Sequence, residues 1–310
     1  MPEKITGDHL VKAIAPGVKI YAAVTTALAE EGRRRHDASP LAAAALGRTM
    51  TGALLLAGSL KNKEALTLQI TGNGPLGKVV ADATPEGAVR GYVTFPRVEL
   101  PLKDTGKLDV GGGIGEGLIT LTRFTGLKEP VRGSAELISG EIAEDITNYL
   151  YVSEQTPSSV GLGVLVGTDR KVAAAGGFLL QPMPDATEEI LTQLEANLKT
   201  LPPVSSLIND GADARGIIAT LLKGFDVEYL TTTTLSFRCQ CSKRRVEDVL
   251  MSLGEADLAS LAADGQAEVS CHFCGEKYQF NGEELAALLA VSRKLRSRTD
   301  GTPSETDGKE

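Results

Sequence analysis

The cysteines of this chain number four, Cys239, Cys241, Cys271 and Cys274, and the 238 residues before them contain none. They read C-x-C, then twenty-nine intervening residues, then C-x-x-C. Four thiolates on two paired arms can close a tetrahedral zinc site in which protein fills every position. Such a site has no place for a bound water, so it is not a hydrolytic centre. His272, between Cys271 and Cys274, is an alternative ligand, although four sulfurs already complete the set. In a reducing cytosol this clustering points to metal or redox chemistry, because structural disulfides are rare there.

The plain alternative is a zinc ribbon that only staples a small fold. Two features add weight to a switch. The members of each pair stand two or three positions apart, so each pair can close a disulfide locally, with more strain in C-x-C than in C-x-x-C. Arg238, Lys243, Arg244 and Arg245 also crowd the first pair. Cations there stabilise the charge of four thiolates around a divalent ion and favour the reactive thiolate form. A rival use of Lys243, Arg244 and Arg245 is nucleic-acid or protein contact by a zinc-dependent adaptor. A third reading makes the C-x-x-C pair a thiol oxidoreductase.

Magnitudes set what oxidation would mean. A domain of roughly sixty residues gains only about 3–5 kcal/mol from its own core. Structural zinc contributes about 10–16 kcal/mol in small zinc-finger peptides. Removal of the metal is therefore expected to unfold the last unit.

The elements that must carry this cluster can be read in outline. Strands are predicted at residues 18–25, 65–71, 78–83, 88–95, 118–124, 133–137, 160–166 and 171–180. A buried helix is predicted within 37–60, starting near Ser39-Pro40. Another spans 140–152, with Ile142, Ile146, Tyr149 and Leu150 on one face. Glu141, Glu144 and Asp145 of that stretch read as a solvated face. These elements predict an α+β fold, helices packed on a mostly antiparallel sheet, over 1–185.

Pro182-Met183-Pro184 breaks the chain. Residues 186–230 then read as an amphipathic helical linker. One helix carries Ile190, Leu191, Leu194 and Leu198, and a second carries Ile217, Ile218, Leu221 and Leu222. These helices either cap the first domain permanently or dock only marginally and can loosen. The last domain is placed at 231–295. Ser242 caps a helix with Val246, Val249 and Leu250 inward, two short strands flank Cys271 and Cys274, and Asn281 with Glu284 opens a final helix. Residues 296–310 read as a disordered tail.

Two glycine-rich stretches resemble nucleotide-binding loops. Gly72-Asn73-Gly74-Pro75-Leu76-Gly77 fits G-x-G-x-x-G but leads into another strand, so no helix N-terminus is available for a phosphate, and a hairpin turn is expected. Residues 111–117 fail both the spacing and the context and read as a flexible loop. No nucleophile constellation accompanies the three histidines, which argues against an enzyme.

The whole chain has 310 residues, 42% hydrophobic and 23% charged, the composition of a soluble globular protein. No run of eighteen apolar residues suggests a membrane span, and the polar start lacks a signal peptide. A cytoplasmic location is expected. A net charge of −8 and only 4% aromatic residues argue against broad nucleic-acid binding.

These features combine with further segments: Phe237-Arg238-Cys239-Gln240-Cys241-Ser242, Val269-Ser270-Cys271-His272-Phe273-Cys274, Gly140-Glu141-Ile142-Ala143-Glu144-Asp145-Ile146 and the 68–76 stretch. Over nearly its whole length the sequence resembles the heat shock protein 33 family of redox-regulated holdase chaperones. The resemblance implies an N-terminal α/β domain, a metastable helical linker and a C-terminal zinc domain. It implies one Zn2+ on Cys239, Cys241, Cys271 and Cys274 in the reduced, inactive state. It also implies that oxidation forms Cys239–Cys241 and Cys271–Cys274 disulfides, releases zinc and activates ATP-independent binding of unfolding client proteins, with a homodimer as the oxidised form.

Overall fold

A computed structural model describes residues 5–61 and 63–299. The chain divides into two compact units, 1–239 and 240–310. The boundary falls inside the C-x-C pair.

In the first unit the elements run β1 (His9–Ala15), β2 (Val18–Val24), α1 (Thr26–His36), α2 (Pro40–Ala57), β3 (Ala65–Gly72), β4 (Lys78–Ala83), β5 (Ala88–Val93) and α3 (Val110–Ile114). They continue with β6 (Gly117–Phe124), β7 (Val131–Glu136), α4 (Ala143–Val152), β8 (Ser159–Val166), β9 (Val172–Pro182), α5 (Glu188–Lys199), α6 (Val204–Asn209), α7 (Ala214–Leu221), β10 (Glu228–Thr234) and β11 (Ser236–Phe237). The strands make two sheets where one was expected, ordered β10-β1-β2-β9-β8 and β11-β5-β4-β3-β6-β7. All described pairings in them are antiparallel except β11 with β5. The α+β class therefore holds.

Helix α2 is the centre of this unit. Ser39 caps it by accepting from the Ala42 amide, and Pro40 follows at the first helical position, where a missing N–H costs nothing. It is long and apolar enough to cross a membrane, yet it is buried almost all round by protein, as a core helix is. Its small residues let both sheets approach. Leu66, Leu68 and Ile70 of β3 reach the same apolar cluster at the strand period of two. In β9, Leu179 joins that cluster, while Phe178 and Leu180 face a second one.

The second cluster is closed by α5, α6 and α7. Leu194, Val204, Ala214, Ile217, Ile218, Leu221 and Leu222 pack there with Val18, Ile20 and Phe178. Leu191, expected on the buried stripe, is 40% exposed. Strand β10 pairs with β1 and spans the 230/231 boundary anticipated from the sequence.

Two local readings are corrected. The stretch at 111–117 is not a loose loop: residues 110–114 form α3, and Leu76 and Gly74 amides donate to the Gly113 and Ile114 carbonyls. A Cβ on Gly72 would stand 1.9 Å from the Ile114 oxygen, so glycine is required for this approach. The expected hairpin between β3 and β4 is present. Asp145 is not on a solvated face either: it is fully buried, and its carboxylate accepts from the amides of Ile138, Ser139, Gly140 and Ile142. That cradle delays the helix to residue 143 and supports Ile142 at φ +73°, a costly conformation for a β-branched residue.

The second unit contains α8 (Lys243–Ser252), α9 (Glu255–Asp264), β12 (Gln266–Ser270), β13 (Lys277–Asn281) and α10 (Gly282–Thr299). Ser242 caps α8, and Asn281 and Glu284 exchange backbone bonds at the start of α10, both as read from sequence. Val249 is exposed, not inward. Val246, Leu250, Leu258, Phe280 and Leu285 form the small buried core. Helix α10 runs to Thr299, four residues into the expected tail, and 300–310 lie outside the described residues.

Candidate metal centre

Each cysteine pair is held by a turn that its neighbours build. Cys271 directly follows β12, and its amide donates to the Glu276 carbonyl. The Gly275 amide donates back to the Cys271 carbonyl, and Gly275 sits at φ +70°, where a side chain would be strained. On the other arm, Arg245 at the start of α8 reaches back to the Gln240 carbonyl at 2.8 Å and closes the C-x-C turn.

The four Sγ atoms lie within 4.8 Å of one another. Cys241 and Cys274 Sγ are 3.3 Å apart, far beyond the ~2.05 Å of a disulfide. Cys274 is buried and the other three are half-buried. A tetrahedral site with metal–sulfur bonds of ~2.3 Å spaces its sulfurs roughly 3.8 Å apart, so the donor set fits a zinc-sized soft cation. Among the described residues this group consists of the four sulfurs. His272 is exposed and outside it.

Surrounding groups tune the sulfurs. The Tyr278 hydroxyl donates to Cys241 Sγ at 3.1 Å, and this bond pushes the phenol's pKa above the ordinary tyrosine range. The cations expected to crowd the first pair have other partners in part. Lys243 pairs with Glu284 and stands 5.1 Å over the Phe280 ring, and Arg238 is exposed.

Arg90, 149 residues earlier, brings a guanidinium to a cysteine sulfur: its Nη1 donates toward Cys239 Sγ at 3.7 Å. Arg90 is the cross-strand partner of Asp82, and Asp82 that of Thr67. Arg90 binds the Asp82 carboxylate at 2.9 and 2.8 Å, and Thr67 donates to it at 2.6 Å. Burial works against the Arg90 charge, but Asp82 and Cys239 outweigh it and hold its pKa above the usual value. Sequence reasoning missed Arg90, Asp82 and Tyr278. Alternation along β13 put Tyr278 near the second pair, but no spacing links residues 82 and 90 to 239.

Comparison with known proteins follows the same outline. The family model described as Hsp33 protein matches residues 8–281. The chain is 47% identical over 285 residues to the 33 kDa chaperonin of Desulforamulus reducens, covering 91% of this chain and 97% of that one. It is 46% identical over 285 residues to the 33 kDa chaperonin of Bacillus subtilis, covering 91% and 98%. The fold is similar to the crystal structure of the 33 kDa chaperonin of Thermotoga maritima, with a TM-score of 0.86 at 38% identity over 92% of this chain and 99% of that one.

Proposed function

The chain belongs to the Hsp33 family of chaperones, and from that premise we propose that it is a redox-regulated, ATP-independent holdase, quiet when reduced and zinc-loaded and active when its cysteines are oxidised. The observation that carries the reading is the convergence of Cys239, Cys241, Cys271 and Cys274 within 4.8 Å. One Zn2+ held by these four would fill all its positions with sulfur and staple the two cysteine-bearing turns. The small core around Leu250, Leu258 and Phe280 supports dependence of the last unit on that staple.

Under oxidant, Cys239 joins Cys241 and Cys271 joins Cys274, each pair giving two electrons to peroxide. Joined sulfurs no longer offer thiolate donors, and the order that depends on them is lost. The reaction is stoichiometric, once per switching event, with no catalytic turnover. Residues 186–230 are the linker in this reading, and 231–295 the switch domain. The apolar residues of α5 and α7 become available to unfolding client proteins when that linker loosens. The acidic net charge keeps the opened protein in solution, and the oxidised form is a homodimer. The reducing cytoplasm is where such a switch has a resting state.

The test is light scattering from a thermally unfolding client with reduced protein and with protein treated with peroxide and heat, with zinc release measured alongside. The oxidised form suppresses aggregation and has released its zinc. Equal suppression by both forms would reject the switch.

A further inference from the structure

The segment that enters the cysteine cluster joins the six-stranded sheet through a short parallel ladder. Strand β11 has two residues and pairs in parallel with β5, Ser236 opposite Ala88 and Phe237 opposite Val89. Ser236 and Arg238 amides donate to the Gly87 and Val89 carbonyls at 2.9 and 2.8 Å. Leu235 is buried in the main core, and the Arg35 guanidinium stands 5.2 Å over the Phe237 ring. A parallel ladder this short contributes little stability by itself.

At the end of the segment Arg90 reaches the Cys239 sulfur. Its other two nitrogens are fixed on Asp82, so the Nη1 donor is aimed, not free to wander. A thiolate at Cys239 makes this a charge-assisted bond, and a disulfide sulfur carries no charge to accept it.

We propose that Arg90 is a positioning residue of the redox switch: it holds strand β11 on β5 through the Cys239 thiolate, so oxidation of Cys239 undocks residues 235–239. The inference rests on the redox reading above. The chemical step balances with hydrogen peroxide as oxidant. One thiolate of the Cys239–Cys241 pair attacks a peroxide oxygen, the O–O bond breaks, hydroxide leaves and a sulfenic acid forms. The second thiolate attacks that sulfur, the S–S bond forms and a second hydroxide leaves. Two electrons have passed from sulfur to oxygen, and Arg90 faces a neutral sulfur. Asp82 keeps the guanidinium in place on the sheet, so the strand, not the arginine, departs.

The experiment is amide hydrogen exchange over 235–239 in the full chain, with cysteine state read by alkylation and mass. In the reduced wild type Ser236 and Arg238 are protected, and after oxidation they exchange roughly 10-fold faster or more, the effect of losing a hydrogen bond to a charged group. Reduced Arg90→Met shows the same gain while β3 and β4 amides stay protected, and Arg90→Lys restores part of the protection. In a Cys239→Ser background Arg90→Met adds less than about 3-fold, because the partner is already gone. Full protection of 235–239 in an oxidised wild type with both disulfides formed overturns the latch and leaves the redox reading standing. Wild-type protection in reduced Arg90→Met, or additive effects in the double variant, overturns it as well. Cysteines that resist peroxide overturn the redox reading itself and, with it, the coupling to oxidation.

Discussion

Tyr278 on β13 donates its hydroxyl to the Cys241 sulfur at 3.1 Å, a bond between residues 37 apart in sequence. It ties the C-x-C arm to the strand that flanks the C-x-x-C arm. A hydroxyl bonded to a metal-ligating sulfur orients it and moderates its charge. Tyr278→Phe is expected to weaken zinc binding about 10-fold while leaving the fold intact, the effect typical of losing such a supporting bond. Competition with a chromogenic chelator measures this, and an unchanged affinity would remove Tyr278 from the site.

Asp145 satisfies four backbone amides from a fully buried position. Asp145→Ala leaves those donors without an acceptor where water cannot replace it, and also leaves Ile142 unsupported at positive φ. A destabilisation of at least about 3 kcal/mol is expected, since each stranded buried donor costs about 1–3 kcal/mol. The urea midpoint should fall with an unchanged slope. Loss under about 1 kcal/mol would mean the loop finds other acceptors.

Glu141 gives a pH signature in the same region. Burial alone would raise its pKa, but hydrogen bonds from Lys103 and Arg48, both at 2.6 Å, outweigh it and hold the carboxyl below its usual range. A depressed folded pKa means that the stabilisation is complete above the ordinary carboxylate range and is lost as pH falls through the folded value. The wild type should therefore exceed Glu141→Gln by about 1 kcal/mol at neutral pH. Denaturation curves at successively lower pH should show that gap closing. A gap independent of pH would assign the effect to packing.

Ile218 on α7 is fully buried against the five-stranded sheet. Ile218→Ala should cost about 2–5 kcal/mol of local packing. If the docking of 186–230 is what keeps the reduced protein quiet, this variant suppresses client aggregation without oxidant. A reduced variant that is destabilised yet inactive would separate linker docking from client binding.

Much of this architecture was legible in sequence because local chemistry decided it. Ser39-Pro40 marked the start of α2, Ser242 that of α8, and Asn281 with Glu284 that of α10, each through a cap confirmed by its hydrogen bonds. The paired cysteines pointed, by type and spacing, to the four sulfurs that lie within 4.8 Å of one another. What stayed hidden depended on distant partners. Strand β1 follows a polar start and is defined by pairing with β2 and with β10, more than two hundred residues away. Asp145 sits among Glu141 and Glu144, and charge alone suggests solvent, whereas four amides from the preceding loop bury it. The glycines of 111–117 suggested looseness, but the missing side chains admit the carbonyl contacts that fix α3. Arg90 belongs to an ordinary alternating strand, and only the sheet register and the return of the chain at 236–239 bring it to Cys239.

If sulfur ligation supplies most of the order in the second unit, amide exchange across 240–299 must differ between reduced protein and protein with all four sulfurs oxidised. Helices α8 and α9 and the β12–β13 pair are expected to be protected when reduced and to exchange at nearly unfolded rates when oxidised. Equal protection in both states would show that the unit keeps its order without its thiolates.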